Sequence, residues 1–412
     1  MLASALLMLP LLVPQQAKET SVALPAAYGE SIVYRWSELE PVDQSPVTRE
    51  NPADLAVDAL GGRHLIFGGH TNEDCDPETY WCGLYHQFSA DGETWTTPSL
   101  VPGTFYASSF EEPVAEADET GRVYLAWVGR GVELCWTDDQ GETYSPPVRV
   151  SGDLPAGGKI DLQIDPYGAV HVAWLGLEVL DPWTWWWDVY YAWSTPTYLG
   201  GPGSWRARDP IFHPGYPVST DHFAGGDDVT LAVGPGQWVT VAWQNWDGFL
   251  RIAQARAGEP FPPPGDPGTG KVVWHPWAVV DEDGVVTIIY HRYGPPDYDG
   301  REYSLIAMDG RTFEGPFPLT PPDDSDTHSP RRCVHAGRPG EIHLLWVGFL
   351  GNEAGYWHSV SYDHGRSLAV HTLLWDNQDY PPSGYGSLDL LPDGRPAQIC
   401  YIHRYGEALS FH

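Results

Sequence analysis

The tetrapeptide His-Arg-Tyr-Gly occurs twice in this sequence, at His291–Gly294 and at His403–Gly406. Histidine exchanges protons near neutral pH, arginine binds carboxylates, and tyrosine can donate a proton. Together these residue types suit acid–base chemistry on a substrate that carries a negative charge. The alternative is that a repeated chain copies such residues for structural reasons, with Tyr-Gly closing a turn.

Both copies end an apolar strand, and that strand belongs to a unit that recurs along the chain. Each unit has an apolar segment, a turn rich in Asp and Gly, and a second strand that ends near an aromatic residue. Period-two alternation between such turns is typical of antiparallel sheets. The units occupy residues 53–70, 113–129, 160–176, 228–245, 276–292, 331–348 and 387–404. A spacing of roughly 50 residues favours four-stranded blades around a central channel.

We predict an all-β fold, a seven-bladed β-propeller of four-stranded blades that occupies residues 31–412 as a single domain. Six blades are the alternative if one weak unit is a decoration. The last unit reaches His412 with only about three strands, whereas Ser31–Trp36 reads as a strand with no partner of its own. We therefore expect the N-terminal strand to complete the last blade and close the ring.

The formal net charge of the chain is −33, from 22 basic and 55 acidic residues. This excess argues against nucleic acid or an anionic membrane as the main partner. Residues 1–17 resemble a secretory signal peptide whose apolar run is too short to span a bilayer. We therefore expect a secreted or extracytoplasmic protein without a membrane span. The alternatives are a wrongly assigned start codon and an ordinary N-terminal apolar segment.

The five cysteines follow no metal-binding spacing, so we expect no metal ion and no cofactor. Cys75 and Cys82 flank a short loop and could form a disulfide in an exported protein. Cys135, Cys333 and Cys400 lie in predicted strands, where buried free thiols are expected. We expect the protein to be a monomer.

A second repeated motif, S/T-x-D-x-G-x-T-aromatic, follows the third strand of several units. The copies, some of them shortened, comprise Ser89, Asp91, Gly92, Thr94 and Trp95; Thr137, Asp139, Gly141, Thr143 and Tyr144; Asp309, Gly310, Thr312 and Phe313; and Ser361, Asp363 and Gly365. Asp and Ser/Thr side chains can bond the turn amides, glycine takes a backbone shape closed to other residues, and the aromatic ring plugs the blade. These residues resemble the Asp-box, or bacterial neuraminidase repeat (BNR), of the sialidase-like β-propeller superfamily.

The resemblance implies that the Asp-boxes are structural turns on the face away from the active site. It also implies a scaffold shared by sialidases, other glycosidases, polysaccharide lyases and non-catalytic binding proteins, with a carbohydrate or glycoconjugate as the partner. Sialidases of this superfamily open their first blade with Arg-Ile-Pro. This chain has Thr48–Pro52 there, with Glu50 in the place of the arginine, which argues against exo-sialidase activity.

If the Asp-boxes mark one face, the ends of second strands and the starts of first strands lie on the other, around the channel mouth. Candidate catalytic residues there are Glu112, Asp161, Asp227, His275, His291, Arg292, Tyr293, Arg331, Tyr385, His403 and Arg404. Candidate substrate-binding residues are His70, Arg130, Asn245, Trp246 and Trp186. Trp186 belongs to an aromatic-rich insertion, in which stacking on a sugar and packing between blades are the alternatives.

Three functions remain open on these residues. A glycoside hydrolase needs two carboxylates across the channel, which the acidic candidates could supply. A polysaccharide lyase for uronates needs groups for proton transfer and a cation against the carboxylate. His275, His291, Tyr385 and Arg331 could supply these groups. A non-catalytic binding propeller would bind a glycan through the same residues at the channel mouth without cleaving it.

Overall fold

The structure is a computed structural model of the chain. It describes residues 48–70, 83–104, 113–181, 184–197, 209–213, 215–219, 228–245, 247–269, 273–292, 301–320, 334–350, 353–376, 385–404 and 407–411. The predicted signal peptide, the N-terminal strand at 31–36 and the pair Cys75 and Cys82 lie outside these residues. Within the described ranges, no helix is long and apolar enough to cross a membrane.

These residues fold as an all-β propeller, and the only helical element among them is a short 3-10 turn at Pro235–Gln237. Six antiparallel sheets form its blades, and strands that follow one another in the chain are neighbours in each sheet. The first three sheets contain β1 (Thr48–Val57), β2 (Arg63–His70), β3 (Gly83–Ser89) and β4 (Ser99–Leu100); β5 (Val114–Ala117), β6 (Val123–Val128), β7 (Val132–Thr137) and β8 (Val148–Arg149); and β9 (Ile160–Ile164), β10 (Val170–Asp181), β11 (Thr184–Trp193) and β12 (Tyr216–Pro217). The next three contain β13 (Val229–Gly234), β14 (Trp238–Gln244) and β15 (Leu250–Arg256); β16 (Val273–Val280), β17 (Val286–Arg292), β18 (Arg301–Ala307) and β19 (Glu314–Pro318); and β20 (Val334–Ala336), β21 (Ile342–Leu350), β22 (Glu353–Ser361) and β23 (Val370–Asp376).

A further antiparallel sheet, the C-terminal sheet, follows these six. It consists of β24 (Tyr385–Leu390), β25 (Pro396–Arg404) and β26 (Glu407–Phe411). The backbone of these strands is described, and their side chains are described only in part.

The hydrophobic core lies between successive sheets. All six residues of β6 are buried: Trp127 packs with the first sheet, and Tyr124 packs with the third. Because side chains alternate between the two faces of a strand, both faces of such a sheet must be covered by neighbours. Cys135 is a buried free thiol, as predicted, and burial raises the pKa of its thiol to about 12.

A buried aspartate holds the turn between the first and second strands in four of the sheets. These residues are Asp58, Asp118, Asp165 and Asp281. In each turn Oδ1 accepts the amides of the residues two and four positions later, at 2.8 to 3.1 Å. The glycine three positions later has a positive φ, as at Gly61, which is a conformation that favours glycine.

The turns predicted from the S/T-x-D-x-G motif lie at the same end of the sheets, after the third strands. Asp139 accepts the amide of Thr143 at 2.8 Å, and Asp363 bonds its own turn in the same way. Asp91 and Asp309, in the shorter copies, accept the amides two and three positions later. These backbone hydrogen bonds lower the pKa of Asp91 to about 2. The aromatic residues that end three of the motifs pack against the core: Trp95, Tyr144 and Phe313. We call both sets of turns the aspartate turns.

Side chains of the first strands also reach the first strand of the next sheet. Asp54 accepts an amide of β5 at 2.8 Å. Asp161 accepts an amide of β13 at 2.8 Å, and Thr230 accepts an amide of β16 at 3.0 Å. These bonds fix the spacing of successive first strands around the channel.

Two pairs of histidines are buried in the second and third strands. His64 Nδ1 lies 3.0 Å from His86 Nε2 in the first sheet, and His343 Nδ1 lies 3.0 Å from His358 Nε2 in the sixth. Burial, together with the charge of His64, lowers the pKa of His86 to about 3. Burial also lowers the pKa of His358. Each pair is therefore stable only while these rings are neutral.

We expect the free energy of unfolding to fall as the pH drops below about 6.5. In this range His86 binds a proton in the unfolded chain but stays neutral in the folded protein, because its pKa is lower there. The loss continues toward the folded-state pKa of about 3. His86 alone accounts for about 2 kcal/mol between pH 7.5 and pH 5. Urea denaturation at both pH values measures this change in the free energy of unfolding. His86→Gln should reduce the pH dependence by that amount, whereas His213→Gln, at a partly exposed histidine, should leave it unchanged. An equal pH dependence in His86→Gln and the unchanged protein would contradict this account.

Candidate functional site

Three charged side chains meet at the end of the propeller opposite to the aspartate turns. Lys159, Asp228 and His275 stand at or near the starts of β9, β13 and β16, in three successive sheets. His275 Nδ1 bonds Asp228 Oδ2, and Lys159 Nζ lies 3.6 Å from Asp228 Oδ1. The first strands of successive blades begin around one channel, which brings these residues together. We call them the His275 cluster.

His275 has a left-handed backbone conformation, with a φ of 49°. The register of β16 against β17 shifts between Trp274 and Trp277, and Pro276, inside this bulge, has no amide to give to the ladder. A residue other than glycine in this conformation costs about 1–3 kcal/mol and persists only where its surroundings fix it. The bond to Asp228 fixes the imidazole here.

Burial and charge act in opposite directions on the two partners. Burial by itself raises the pKa of Asp228, but the charges and hydrogen bonds of His275 and Lys159 outweigh burial and hold this pKa below its ordinary value. Burial by itself lowers the pKa of His275, but the charge and hydrogen bond of Asp228 raise it above its ordinary value in net. The pair of a carboxylate and an imidazolium is therefore favoured over the neutral pair.

A second pair of a histidine and a carboxylate lies beside the cluster. His291 Nδ1 is 3.1 Å from Glu302 Oε1, and both side chains are buried. His291 stands opposite Trp274, the residue before His275. The charge of Glu302 also contributes to raising the pKa of His275. The structure thus brings His275 and His291, which the sequence predicted to lie close together, to adjacent positions on β16 and β17.

The other described candidates have their own contacts. Asp161 binds the neighbouring sheet through its carboxylate, as described above. Asn245 Oδ1 accepts the amide of Phe249 at 2.9 Å in the turn after β14. Arg292 stacks its guanidinium 4.9 Å from the ring centre of Tyr303. The first two contacts are structural, and the third leaves the hydrogen-bonding edge of the guanidinium available.

The remaining candidates are described in part or not at all. Arg130 is exposed after β6, and Trp186 is partly buried in β11. The backbone alone is described for His70, Tyr385, His403 and Arg404. Outside the described residues lie Glu112, Asp227, Tyr293, Arg331 and Trp246. The roles of these residues stay predictions.

Sequence reasoning placed Asp228 at the channel mouth but gave no role to either carboxylate that holds a histidine. It selected Asp227, whereas the described contact to His275 belongs to the next residue, Asp228. A shift of one residue at a strand start moves a side chain to the other face, so only the register decides between them. Glu302 begins a third strand, and its position opposite His291 was the signal that could have revealed it.

The channel contains a cavity of about 610 Å³. Its lining comes from the first strands and the turns that follow them, and includes Asp161, Trp277, Arg338 and Asp389. The cavity therefore lies toward the aspartate turns, at the other end of the channel from His275. In the part of the chain that is described, no group of three or more His, Cys, Asp or Glu residues is arranged to hold a metal ion.

Comparison with solved structures supports the fold. The BP39L lectin from Burkholderia pseudomallei is similar with a TM-score of 0.57 and 12% identity, over 86% of this chain and 93% of the lectin. A protein of unknown function from Dyadobacter fermentans gives a TM-score of 0.50 and 14% identity, over 78% of this chain and 98% of that one. An intramolecular trans-sialidase from Ruminococcus gnavus gives 0.42 and 14%, over 90% and 95%. No protein-family model and no curated protein matches the sequence. At these identities the likeness shows a β-propeller fold alone.

We expect Asp228→Asn to lower the pKa of His275 below its ordinary value. The substitution removes the negative charge that raises this pKa and leaves the burial that lowers it. Titration of the imidazole by NMR measures the shift. Asp266→Asn, at a half-exposed residue that pairs with Arg251, is the matched control and should leave the His275 titration unchanged. A His275 that already titrates below its ordinary value in the unchanged protein would contradict the described electrostatics.

Proposed function

We propose that this protein cleaves a glycosidic bond in a carbohydrate held at the mouth of its central channel, with His275 exchanging the proton. The observation that carries the proposal is the His275 cluster. Asp228 holds Nδ1 of the imidazole, and an imidazole oriented in this way can exchange a proton through its other ring nitrogen. A strained backbone, a buried ion pair and a raised histidine pKa are features that gather at acid–base sites.

Elimination suits these residues better than hydrolysis by two carboxylates. Asp228 and Glu302 each bind a histidine, so neither offers the unengaged carboxylate that a glycoside hydrolase needs. The two histidines could instead divide the proton transfers. One would take the proton from the carbon beside a uronate carboxylate, and the other would protonate the leaving oxygen as the carbon–oxygen bond breaks. The products would be an unsaturated uronate and a sugar with a new hydroxyl.

A non-catalytic carbohydrate-binding propeller is the second candidate. Its support is the fold shared with a lectin, and the fact that the ion pairs of the His275 cluster also tie three first strands together. This candidate predicts affinity for a glycan without any product.

We also infer that the C-terminal sheet is the seventh blade and that it packs against the first. Ser387 Oγ donates to Asp54 Oδ1 at 2.7 Å and accepts the amide of Leu55 at 3.1 Å, which repeats the bonds between other first strands. The N-terminal strand at 31–36 would then close the ring as the fourth strand of this blade. In the same reading the turns at Asp91, Asp139, Asp309 and Asp363 are Asp-boxes, and residues 1–17 direct export.

We expect His275→Gln to lower kcat/KM by about 100-fold or more, because it removes the group that exchanges the proton. Uronate-containing polysaccharides are the substrates, with ultraviolet absorbance of the unsaturated product and new reducing ends as the readouts. With His275 as the acid, activity should fall as the pH rises through its raised pKa. His213→Gln, at a histidine stacked on Trp193, should keep full activity. A glycan that binds without yielding new ends would reject catalysis and favour the second candidate.

We expect Ser387→Ala to lower the free energy of unfolding by about 1–3 kcal/mol, since it removes one donor to the buried Asp54 and the side-chain acceptor of the Leu55 amide. Urea denaturation measures the change. Ser367→Ala, at an exposed residue in the turn of Asp363, should cost much less. Equal stability of Ser387→Ala and the unchanged protein would argue against packing of the C-terminal sheet on the first.

A further inference from the structure

Two arginines face each other across the fifth sheet. Arg292, the last residue of β17, is the direct partner of Arg301, the first residue of β18. Like charges at directly opposite positions of an antiparallel pair repel each other. Two adjacent arginines are unexpected in a chain with 22 basic and 55 acidic residues, because acidic partners for each arginine are abundant.

Neither arginine has its Nε hydrogen-bonded, although both Nε atoms are buried. Among the described residues no carboxylate lies within ion-pair distance of Arg292 or Arg301. The chain treats another buried arginine differently: Arg122 binds Asp138 through two nitrogens, at 2.6 and 2.9 Å. Buried charged donors without acceptors are costly to a fold, which makes the two arginines candidates for binding an anion.

The orientation of the pair follows from the alternation of the strands. Arg292 and Arg301 face the same side of the sheet as Val273, which packs with the fourth sheet. The amide of Val273 is bonded to Gly248 of that sheet at 2.7 Å. His291, one residue before Arg292, faces the opposite side. The arginine pair therefore lies at the junction of the fourth and fifth sheets, next to the proposed acid–base residues and separate from them.

We propose that Arg292 and Arg301 bind an anionic substituent, a sulfate or a carboxylate, of a sugar next to the one held at the His275 cluster. Two guanidinium groups on one side of a sheet offer paired N–H donors that match the oxygens of either group. The ligand is then an acidic polysaccharide with a charge on the neighbouring sugar. This assignment of the sugar rests on the proposed function, whereas the anion site itself does not.

A second pair of arginines supplies the control. Arg311 and Arg256 lie 3.9 and 5.7 Å from the ring centre of Trp238, at the end of the aspartate turns. Both arginines are exposed, so water can serve their N–H groups. Arg311→Gln therefore removes the same charge from the protein without touching the proposed site.

The first experiment needs no glycan. Thermal unfolding is followed in sodium chloride and in sodium sulfate at equal ionic strength, for the unchanged protein, Arg301→Gln and Arg311→Gln. Removing one of two repelling charges should raise the Tm of Arg301→Gln in chloride, and the extra stabilisation by sulfate should shrink. Arg311→Gln should respond to sulfate as the unchanged protein does, which accounts for the general effect of this salt. An Arg301→Gln variant with a lower Tm in chloride and an unchanged response to sulfate would assign the pair to structure and overturn the proposal.

The second experiment identifies the anion. Binding is measured to polygalacturonate, which carries carboxylates, to dextran sulfate and to neutral dextran. Arg301→Gln should weaken binding of the preferred charged polymer about tenfold, and Arg292→Gln should do the same. Arg311→Gln should change it less than about twofold. Equal binding of charged and neutral polymers, or no effect of either substitution, overturns the proposal. If neither arginine substitution affects binding but His275→Gln loses activity, the anion site is rejected and the proposed function stands. If Arg301→Gln loses the response to sulfate but no glycan is cleaved, the anion site stands and the proposed function is rejected.

Discussion

The open edge of each first strand is the constraint on which this propeller depends. A first strand pairs with its second strand on one side only, so the amides on its other side face the channel and need acceptors. The preceding first strand supplies them from its side chains, as Asp161 does for β13. These bonds satisfy the amides and also set the distance between sheets. Three residues as far apart in the chain as Lys159, Asp228 and His275 can meet because that distance is fixed.

The two ends of the sheets use charge in different ways. At one end, aspartates such as Asp58 and Asp139 accept amides of their own turns, so each carboxylate is neutralised locally by backbone donors. At the other end, histidines, a lysine and arginines depend on groups from other strands or other sheets. Local bonds make the first end suited to holding the blades in shape. The second end carries the pair of Asp228 and His275, whose pKa values are set by charges from other sheets, and the arginines with unpartnered Nε atoms. Such groups are common at functional sites.

Sequence predicted the features that local bonding controls and missed those that depend on register. Period-two alternation and the recurring Asp and Gly gave the sheets and both kinds of turn, since a turn hydrogen bond spans only a few residues. His275 and His291 were identified because strand ends mark the channel mouth. Their partners were not, because Asp228 and Glu302 reach them across sheets and strands. The bulge at Pro276 also breaks the alternation on which any assignment of faces relies. The opposed arginines could not be found without the register of β17 against β18, which the sequence pattern does not fix.

The buried histidine pairs make the stability of two particular sheets depend on pH. They stand in the first and sixth sheets, and both of these sheets touch the C-terminal sheet. Protonation of His86 or His358, whose pKa values burial lowers, would destabilise these two sheets. In an acidic solution the contacts of the C-terminal sheet with these two sheets would therefore weaken. Proteolysis in acid would then begin near these contacts. A return to neutral pH before cleavage would restore them.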